Sequence, residues 1–199
     1  MAQATTKPAK DAKPKKSKWF RYLIDFLIIM MLIIAFRSWQ QRSMVSGVAP
    51  EIQGVLMDGT IAELKKYRGK PVLLHFWATW CPFCKLEEGS ITGIAKDWPV
   101  LTIAYQSGDK AEIEKHLKER GLESWAVISD PESRLGELYG VSSVPTSFII
   151  DANGNIRFRE AGITSGWGLR ARLWYTDMMP NPEVKEPVKS TKEAVVPAQ

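Results

Sequence analysis

Two cysteines that follow a run of apolar residues constrain this 199-residue chain more than any other feature of its sequence. The run, Val72–Trp77, is typical of a strand buried in the middle of a sheet. Cys81 and Cys84, the only cysteines present, lie where the next helix is expected to begin. A helix N-terminus stabilises a thiolate, because it offers free N–H groups and the positive end of the helix dipole. The arrangement is typical of thiol–disulfide exchange.

The position of each cysteine in the predicted helix indicates its role. We expect Cys81 to be exposed at the helix start and to attack a substrate disulfide, and Cys84, one turn later and more buried, to resolve the mixed disulfide. A zinc site would need two further ligands, and the sequence offers only His75 and His116. A haem attachment motif needs histidine where Lys85 stands. The pair is therefore interpreted as a reversible dithiol without metal or cofactor.

An apolar segment near the N-terminus predicts a membrane anchor. Residues 26–36 are an uninterrupted apolar run of eleven. Trp19 and Trp39 bracket the segment, about 30 Å apart along a helix, which matches the hydrocarbon core of a bilayer. Seven Lys or Arg side chains precede the segment and two follow it, so the N-terminus is expected in the cytoplasm. The alternative is a cleaved signal peptide, but its small-residue site at 47–49 lies more than ten residues beyond the run.

The net charge of +5 comes from the N-terminal tail. Residues 1–18 contain six lysines and one aspartate, and residues 19–199 contain 21 basic and 21 acidic side chains. The domain therefore lacks the basic character of a nucleic-acid-binding protein, and no nucleic-acid partner is expected. We predict a disordered basic tail over 1–18, an anchor over 19–39, a polar linker over 40–50, a folded domain over 51–179 and a disordered tail over 180–199.

The folded domain alternates strand and helix patterns in an order that predicts a thioredoxin fold. This is an α/β domain with a central mixed sheet flanked by helices, here with an N-terminal hairpin extension and one preceding transmembrane helix. Capping residues set several boundaries, namely Asp109 with Glu112, the pair Asp130-Pro131, and the turn Asn153-Gly154 as type I′. The predicted strands are 54–61 as a hairpin turned at Asp58-Gly59, Val72–Trp77, Val100–Tyr105, 126–129, Thr146–Ile150 and 155–160. The predicted helices are 64–68, 81–96, 110–120, 131–139 and 168–179.

A second motif, Val144-Pro145-Thr146, precedes an apolar strand. In a thioredoxin fold the corresponding proline is cis and faces the dithiol, and the neighbouring backbone pairs with an extended substrate. The proline ring also leaves no N–H there to compete for the sulfur. We therefore expect a cis Pro145 that acts together with the two cysteines. The predicted substrate-contacting residues are Trp80, Pro82, Phe83, Val144 and Thr146.

These motifs carry a family resemblance. Residues 77–87 (Trp-Ala-Thr-Trp-Cys-Pro-Phe-Cys-Lys-Leu-Glu) resemble the active-site motif of the TlpA/ResA branch of membrane-tethered thioredoxin-like proteins. Residues 139–141, 144–146 and 148–151 and Gly154 match a second signature of that branch. Within the branch, the sequence is most similar to the suppressor-of-copper-sensitivity (ScsD) type, and residues 166–170 (Gly-Trp-Gly-Leu-Arg) support this resemblance. The resemblance implies a periplasmic oxidoreductase on the bacterial inner membrane, kept reduced by a membrane electron donor of the DsbD or ScsB kind.

His75 departs from the pattern of thioredoxins, which place a buried aspartate six residues before the first cysteine. A neutral His75 could accept the proton of Cys84, and a protonated His75 would stabilise a thiolate. The alternative is a core histidine without a redox role. His116 is expected on a solvated helix surface. Glu87 fits the pattern of the branch, or serves only the polar face of its helix.

The leading hypothesis is a membrane-anchored thiol–disulfide oxidoreductase that acts on extracytoplasmic protein disulfides through its Cys-Pro-Phe-Cys dithiol. The reducing or isomerising direction is favoured, because the Trp-Ala-Thr-Trp lead-in resembles the reducing branch. A thiol reductase for cytochrome c maturation is the alternative within this class. The alternatives from other classes are a copper-binding module that uses Cys81, Cys84 and a methionine, and a redox-inert docking domain.

Overall fold

The computed structural model describes residues 18–179 and 194–195, which fall into two compact units. The first unit ends at Trp39 and contains almost all of helix α1 (Lys18–Gln40). Within the described part of the chain, no helix combines the length and the apolar character needed to cross a membrane. The anchor over 19–39 therefore stays a prediction, and the predicted tail over 1–18 lies almost wholly outside the described residues.

The second unit begins at Gln40 and contains the other strands and helices of the described chain. Its strands are β1 (Gly47–Val48), β2 (Ile52–Val55), β3 (Ile61–Glu63), β4 (Val72–Trp77), β5 (Val100–Tyr105), β6 (Val127–Asp130), β7 (Thr146–Ile150), β8 (Asn155–Ala161) and β9 (Ala194–Val195). Its helices are α2 (Pro82–Ile94), α3 (Lys110–Arg120), α4 (Arg134–Tyr139) and α5 (Gly166–Met178), with a 3-10 turn at Leu64–Tyr67.

Six strands form a mixed sheet in the order β1-β8-β7-β4-β5-β6. Strands β4, β5 and β6 are parallel, whereas β7 is antiparallel to β4 and to β8. The right-handed crossovers β4-α2-β5 and β5-α3-β6 place α2 and α3 on the same face of the sheet. This confirms the predicted thioredoxin fold, and it places the strand that leads into the dithiol near the middle of the sheet.

Alternate residues of β4 fill two separate cores. Leu73 and Trp77 pack on the face covered by α2, α3 and α5, and Leu74 and Phe76 pack on the face covered by α4 and the N-terminal strands. All four side chains are fully buried. Burying a side chain of this size stabilises the fold by roughly 1.5–3 kcal/mol, so β4 is held firmly from both sides.

The predicted hairpin extension is confirmed. Strands β2 and β3 are antiparallel, with Gln53 opposite Glu63, and the turn between them contains Asp58 and Gly59. The short strand β9 adds to the other edge of β2 in parallel. The predicted disordered tail over 180–199 is otherwise outside the described residues.

The segment predicted to be a linker, 40–50, instead belongs to the folded domain. Strand β1 pairs with β8, and the side chains of Met44 and Ala49 are buried. The N–H of Val45 donates to the carbonyl of Tyr139 at 3.2 Å, and the N–H of Ala49 donates to that of Gly154 at 2.8 Å. A two-residue strand carries no hydrophobic period, which is why the sequence pattern did not reveal it.

Two predicted caps differ in detail. Asp130 ends β6 rather than beginning a helix, and α4 begins at Arg134. The Asp130 carboxylate still accepts the N–H groups of Leu135 and Gly136 at 3.1 and 2.9 Å, so it caps α4 from a distance. The turn between β7 and β8 is not type I′. That type needs a positive φ at both central residues, and here only Gly154 has one (85°).

Candidate active site

Cys81 lies immediately before α2 and caps that helix with its sulfur. The Sγ atom accepts the N–H of Cys84 at 3.1 Å, and Pro82 occupies the first helical position, where an N–H is not needed. Both cysteines are free thiols. The Cys81 sulfur is therefore held at the positive end of α2 by a backbone donor, as the sequence predicted.

Both sulfurs are shielded from solvent. Cys81 is only 2% exposed and Cys84 is 3% exposed, so the expectation that Cys81 is exposed is wrong. The residues beside it are the exposed ones, namely Trp80 and Phe83, each more than half exposed, and Pro82. A substrate must therefore reach Cys81 across apolar side chains.

The Val144-Pro145 peptide bond is cis, as predicted. The carbonyl oxygen of Val144 lies 3.6 Å from the Cys81 sulfur, so this loop faces the dithiol. The Thr146 hydroxyl donates to the carbonyl of Ser143 and is buried, and the Pro145 carbonyl accepts the N–H of Gly162. Thr146 therefore shapes the loop, and Val144 and Pro145 form its face toward the cysteines.

The loop after β5 fixes the residues that lead into the dithiol. The indole Nε1 of Trp80 donates to the carbonyl of Gln106 at 2.9 Å, and the N–H of Thr79 donates to the hydroxyl of Ser107 at 3.1 Å. Gln106 has a φ of 45°, a conformation that costs energy for a residue with a side chain. The exposed Trp80 is thus held in place beside Cys81.

Glu87 is the residue whose importance the sequence left undecided. It lies three residues after Cys84 on α2 and is buried. Its Oε1 accepts the N–H of Thr164 at 2.5 Å, and among the described residues its buried Oε2 has no hydrogen-bond partner. Burial raises the pKa of Glu87 to about 7, against the effect of the Thr164 N–H. A carboxyl group with such a pKa can gain or lose a proton near neutral pH.

Cys84 is held in its protonated form. Burial raises the pKa of the Cys84 thiol well above its usual range, and the hydrogen bond to Cys81 and the charge of Glu87 raise it further. The two sulfurs thus have different surroundings. Cys81 Sγ accepts a backbone N–H, and the Cys84 thiol keeps its proton one helical turn from the carboxyl group of Glu87.

His75 occupies the core beneath this region but does not bond to either sulfur. Its Nδ1 lies 2.9 Å from the hydroxyl of Ser147, which is directly opposite it on β7, and its ring meets the edge of Trp125. Burial lowers the pKa of His75 to about 3, so the ring is neutral at neutral pH. This contradicts the hypothesis that a protonated His75 stabilises a thiolate. A role for the neutral ring stays a prediction.

His116 is not a solvated surface residue, contrary to expectation. Its ring stacks on Trp77 at a centroid distance of 5.4 Å, and its Nε2 lies 3.3 Å from a carboxylate oxygen of Glu88. Arg120 pairs with the same carboxylate at 2.6 Å. His116 follows the buried Ile113 by three residues, and this helical spacing could have indicated its inward side.

Comparison with known proteins places the chain in a family. The model of the AhpC/TSA family matches residues 45–159. The chain belongs to this family. Its relatives include the thiol:disulfide interchange protein DsbE of Escherichia coli K12, 37% identical over 177 residues that cover 80% of this chain and 92% of the relative. A thioredoxin-like protein of Haemophilus influenzae is 30% identical over 165 residues, covering 82% and 98%.

Solved structures agree with the relatives. A DsbE-type thiol:disulfide interchange protein of Chlorobium tepidum superposes with a TM-score of 0.60 and 26% identity, covering 67% of this chain and 98% of that protein. The exposed lipoprotein thioredoxin Etrx1 of Streptococcus pneumoniae superposes with a TM-score of 0.58 and 28% identity, covering 63% and 98%. With the dithiol geometry, these similarities make the protein a thiol–disulfide oxidoreductase.

The copper-binding alternative stays a hypothesis, because its ligands would be Cys81, Cys84 and a methionine. Among the residues that the structure describes, no group of three or more His, Cys, Asp or Glu side chains is arranged to hold a metal ion. Near the dithiol, Glu87 has Thr164 as its polar partner, and His75 has Ser147.

Proposed function

We propose that this protein exchanges disulfides of extracytoplasmic proteins through Cys81 and Cys84, in the reducing or isomerising direction, from a membrane anchor. One observation carries the chemical part of this proposal. The buried, protonated Cys84 lies one helical turn from Glu87, a carboxyl group with a pKa of about 7. The attacking sulfur, the resolving sulfur and a proton acceptor are thus arranged along the first turns of one helix.

In the first step, the Cys81 thiolate attacks one sulfur of a substrate disulfide. A bond forms between Cys81 Sγ and that sulfur, the substrate S–S bond breaks, and the second substrate sulfur leaves as a thiolate. The N–H of Cys84, 3.1 Å from Cys81 Sγ, holds the nucleophile before the attack. The backbone at Val144 and Pro145 and the side chains of Trp80, Pro82 and Phe83 surround the place where the substrate must lie.

In the second step, Cys84 resolves the mixed disulfide. Glu87 accepts the proton of the Cys84 thiol, and the resulting thiolate attacks Cys81 Sγ. The Cys81–Cys84 bond forms, and the remaining substrate sulfur leaves as a thiolate. Two electrons have then passed from the dithiol to the substrate, and a reductant must restore the dithiol. We assign that task to a membrane electron donor of the DsbD or ScsB kind.

The proposed location rests on the sequence of the N-terminal segment. The apolar run of eleven residues, the flanking Trp19 and Trp39 and the excess of Lys and Arg before it favour a single-pass anchor in the bacterial inner membrane. The N-terminus then lies in the cytoplasm and the dithiol domain in the periplasm. Helix α1 covers this segment, with the apolar side chains from Leu23 to Ile34 exposed along it.

Trapping of mixed disulfides in cells tests the proposal. A Cys84→Ser variant cannot resolve the intermediate, so we expect disulfide-linked adducts of Cys81 with periplasmic proteins, which disappear on reduction. The matched control is Cys81→Ser, in which Cys84 remains buried beside Glu87 and no adducts are expected. A Cys84→Ser chain without adducts, in cells that produce it in normal amounts, would contradict the proposed function.

The same experiment separates the narrower alternative. A thiol reductase for cytochrome c maturation would capture apocytochromes, recognised by histidine directly after their second cysteine. A general reductase or isomerase would capture periplasmic proteins without that motif. The similarity to the DsbE proteins favours thiol:disulfide interchange and leaves the choice between these clients to the captured adducts.

A further inference from the structure

Four large apolar side chains are exposed beside the dithiol on two adjoining elements. Phe83 and Leu86 lie on α2 and are 57% and 71% exposed. Ile163 precedes α5 and is 44% exposed, and Trp167 in the first turn of α5 is 78% exposed. We call these four residues the α2–α5 surface. The fold does not require them, since none of them packs in either core.

Close contacts join the two elements that carry this surface. The N–H of Thr164 donates to Glu87, and the guanidinium of Arg170 donates to the carbonyl of Gly93 at 2.6 Å. Between these points Gly166 approaches Ser90 so closely that an added Cβ would lie 2.7 Å from its hydroxyl oxygen. The segment 163–170 is therefore fixed along α2. The segment that carries Ile163 and Trp167 thus runs beside the helix that carries Phe83 and Leu86.

The size of the α2–α5 surface indicates an interaction site. Because one aromatic side chain offers roughly 150–250 Å², these exposed fractions together present an apolar area on the order of 400 Å². An apolar patch of this size equals the largest one on a typical soluble domain, and that patch is often functional. Tryptophan is among the residue types that most often dominate the binding energy of an interface.

We propose that the α2–α5 surface docks a folded protein whose exposed apolar side chains flank the disulfide that Cys81 attacks. This inference rests on the proposed function and names the class of its substrates. The surface begins at Phe83, between the two cysteines, so a protein that covers it lies next to Cys81. An extended peptide that pairs with the backbone at Val144 runs along that backbone. Leu86 and Trp167 lie on the two helices α2 and α5, so a partner that also contacts them must have a folded surface.

Three disulfides of different size test the proposal with the full-length protein. Insulin is the folded protein disulfide, a ten-residue peptide with one intramolecular disulfide is the extended substrate, and oxidised glutathione is the small one. For Trp167→Ala we expect the KM for insulin to rise about tenfold with little change in kcat. Leu86→Ser is expected to change KM in the same direction. The rates with the peptide and with oxidised glutathione are expected to match those of the wild type.

The matched control is Trp174→Ala. Trp174 is the same residue type on the same helix and is also exposed, but it lies seven residues, about 10 Å, farther along α5. Its KM for insulin is expected to stay at the wild-type value. A tenfold rise in this control, an equal rise with the peptide, or an unchanged KM for insulin in Trp167→Ala and Leu86→Ser would overturn the proposal. A wild-type protein that reduces glutathione disulfide but no protein disulfide would instead contradict the proposed function.

Discussion

At the scale of single residues, Glu87 is the proposed acceptor of the proton that the resolving step must move. We predict that Glu87→Gln slows the release of substrate from the mixed disulfide by roughly 100-fold, the lower end of what a general base contributes. The first attack by Cys81 is expected to keep its rate, because it needs no proton from Glu87. Rapid-quench kinetics of both steps at pH 7 measure this difference.

The neighbouring acid provides the control for this prediction. Glu88 is also buried on α2, but it faces α3 and pairs with His116 and Arg120. In Glu88→Gln we expect normal resolution despite a lower stability. If both variants slow resolution equally, the effect comes from damage to α2, and the role of Glu87 in proton transfer is refuted.

Two buried residues make the stability of the fold depend on pH in opposite directions. The pKa of Glu87 is raised in the folded state, from 4.5 to about 7, so its contribution to stability falls as pH rises through that window. The pKa of His75 is lowered from 6.5 to about 3, so its contribution falls as pH decreases from 6.5 to 3. Between pH 4.5 and 6.5 the two slopes, each up to about 1.4 kcal/mol per pH unit, oppose each other.

Substitution separates the two slopes. Relative to the wild type, we predict that Glu87→Gln becomes more stable as pH rises from 4.5 to 7, and that His75→Gln becomes less stable as pH rises from 4.5 to 6.5. Urea unfolding at half-unit pH steps measures both differences. A constant difference between His75→Gln and the wild type would show that His75 takes up its proton as easily in the folded as in the unfolded chain.

At the scale of elements, the segment before β2 is a structural part of the domain. Met44 is buried against the core that contains Tyr139, and removing a side chain of this size leaves a cavity. We predict that Met44→Ala lowers the free energy of unfolding by about 2–5 kcal/mol. Val48→Ala is the control, since Val48 is 40% exposed on β1, and a loss below about 1 kcal/mol is expected there. Equal losses in the two variants would contradict the packing described for Met44.

Elements with a long, regular pattern were predictable from the sequence. The bounds of β4, β5 and β7 match their apolar runs, and α3 has the predicted capping box and its stop at Gly121 in the left-handed conformation. Local hydrogen-bond chemistry and periodicity determine these elements, and both are visible in adjacent residues. The same holds for Cys81, Cys84 and Pro145, which local motifs identify.

What the sequence could not show depends on contacts between distant residues. Glu87 is three residues from Cys84, but the donor to its carboxyl group is the N–H of Thr164, 77 residues later. His75 is neutral because the fold buries it, and its hydroxyl partner is on β7, 72 residues later. Protonation states in a buried site follow from such enclosure rather than from residue type.

At the scale of the whole molecule, the dithiol domain and the N-terminal helix are separate units. The division falls between Trp39 and Gln40, and Met44 and Ala49 on the far side of it belong to the core of the domain. Among the described residues, none of those before Gln40 belongs to that core. We predict that a chain beginning at Gln40 folds and reduces oxidised glutathione at the rate of the full-length protein. A truncated chain that folds but loses this activity would show that α1 contributes to the dithiol site.

The same truncation tests the anchor. We expect the full-length chain to sediment with membranes and to be released by detergent. The apolar run over 26–36 is too short to cross the hydrocarbon core alone, so it anchors the chain as part of a longer spanning helix. The six lysines before it could also bind anionic lipid, but that attraction is screened at high ionic strength. Extraction by 1 M salt would therefore assign membrane binding to the basic tail and contradict the anchor. A chain anchored in the inner membrane resists extraction by salt. If its dithiol domain is periplasmic, protease added to spheroplasts digests that domain.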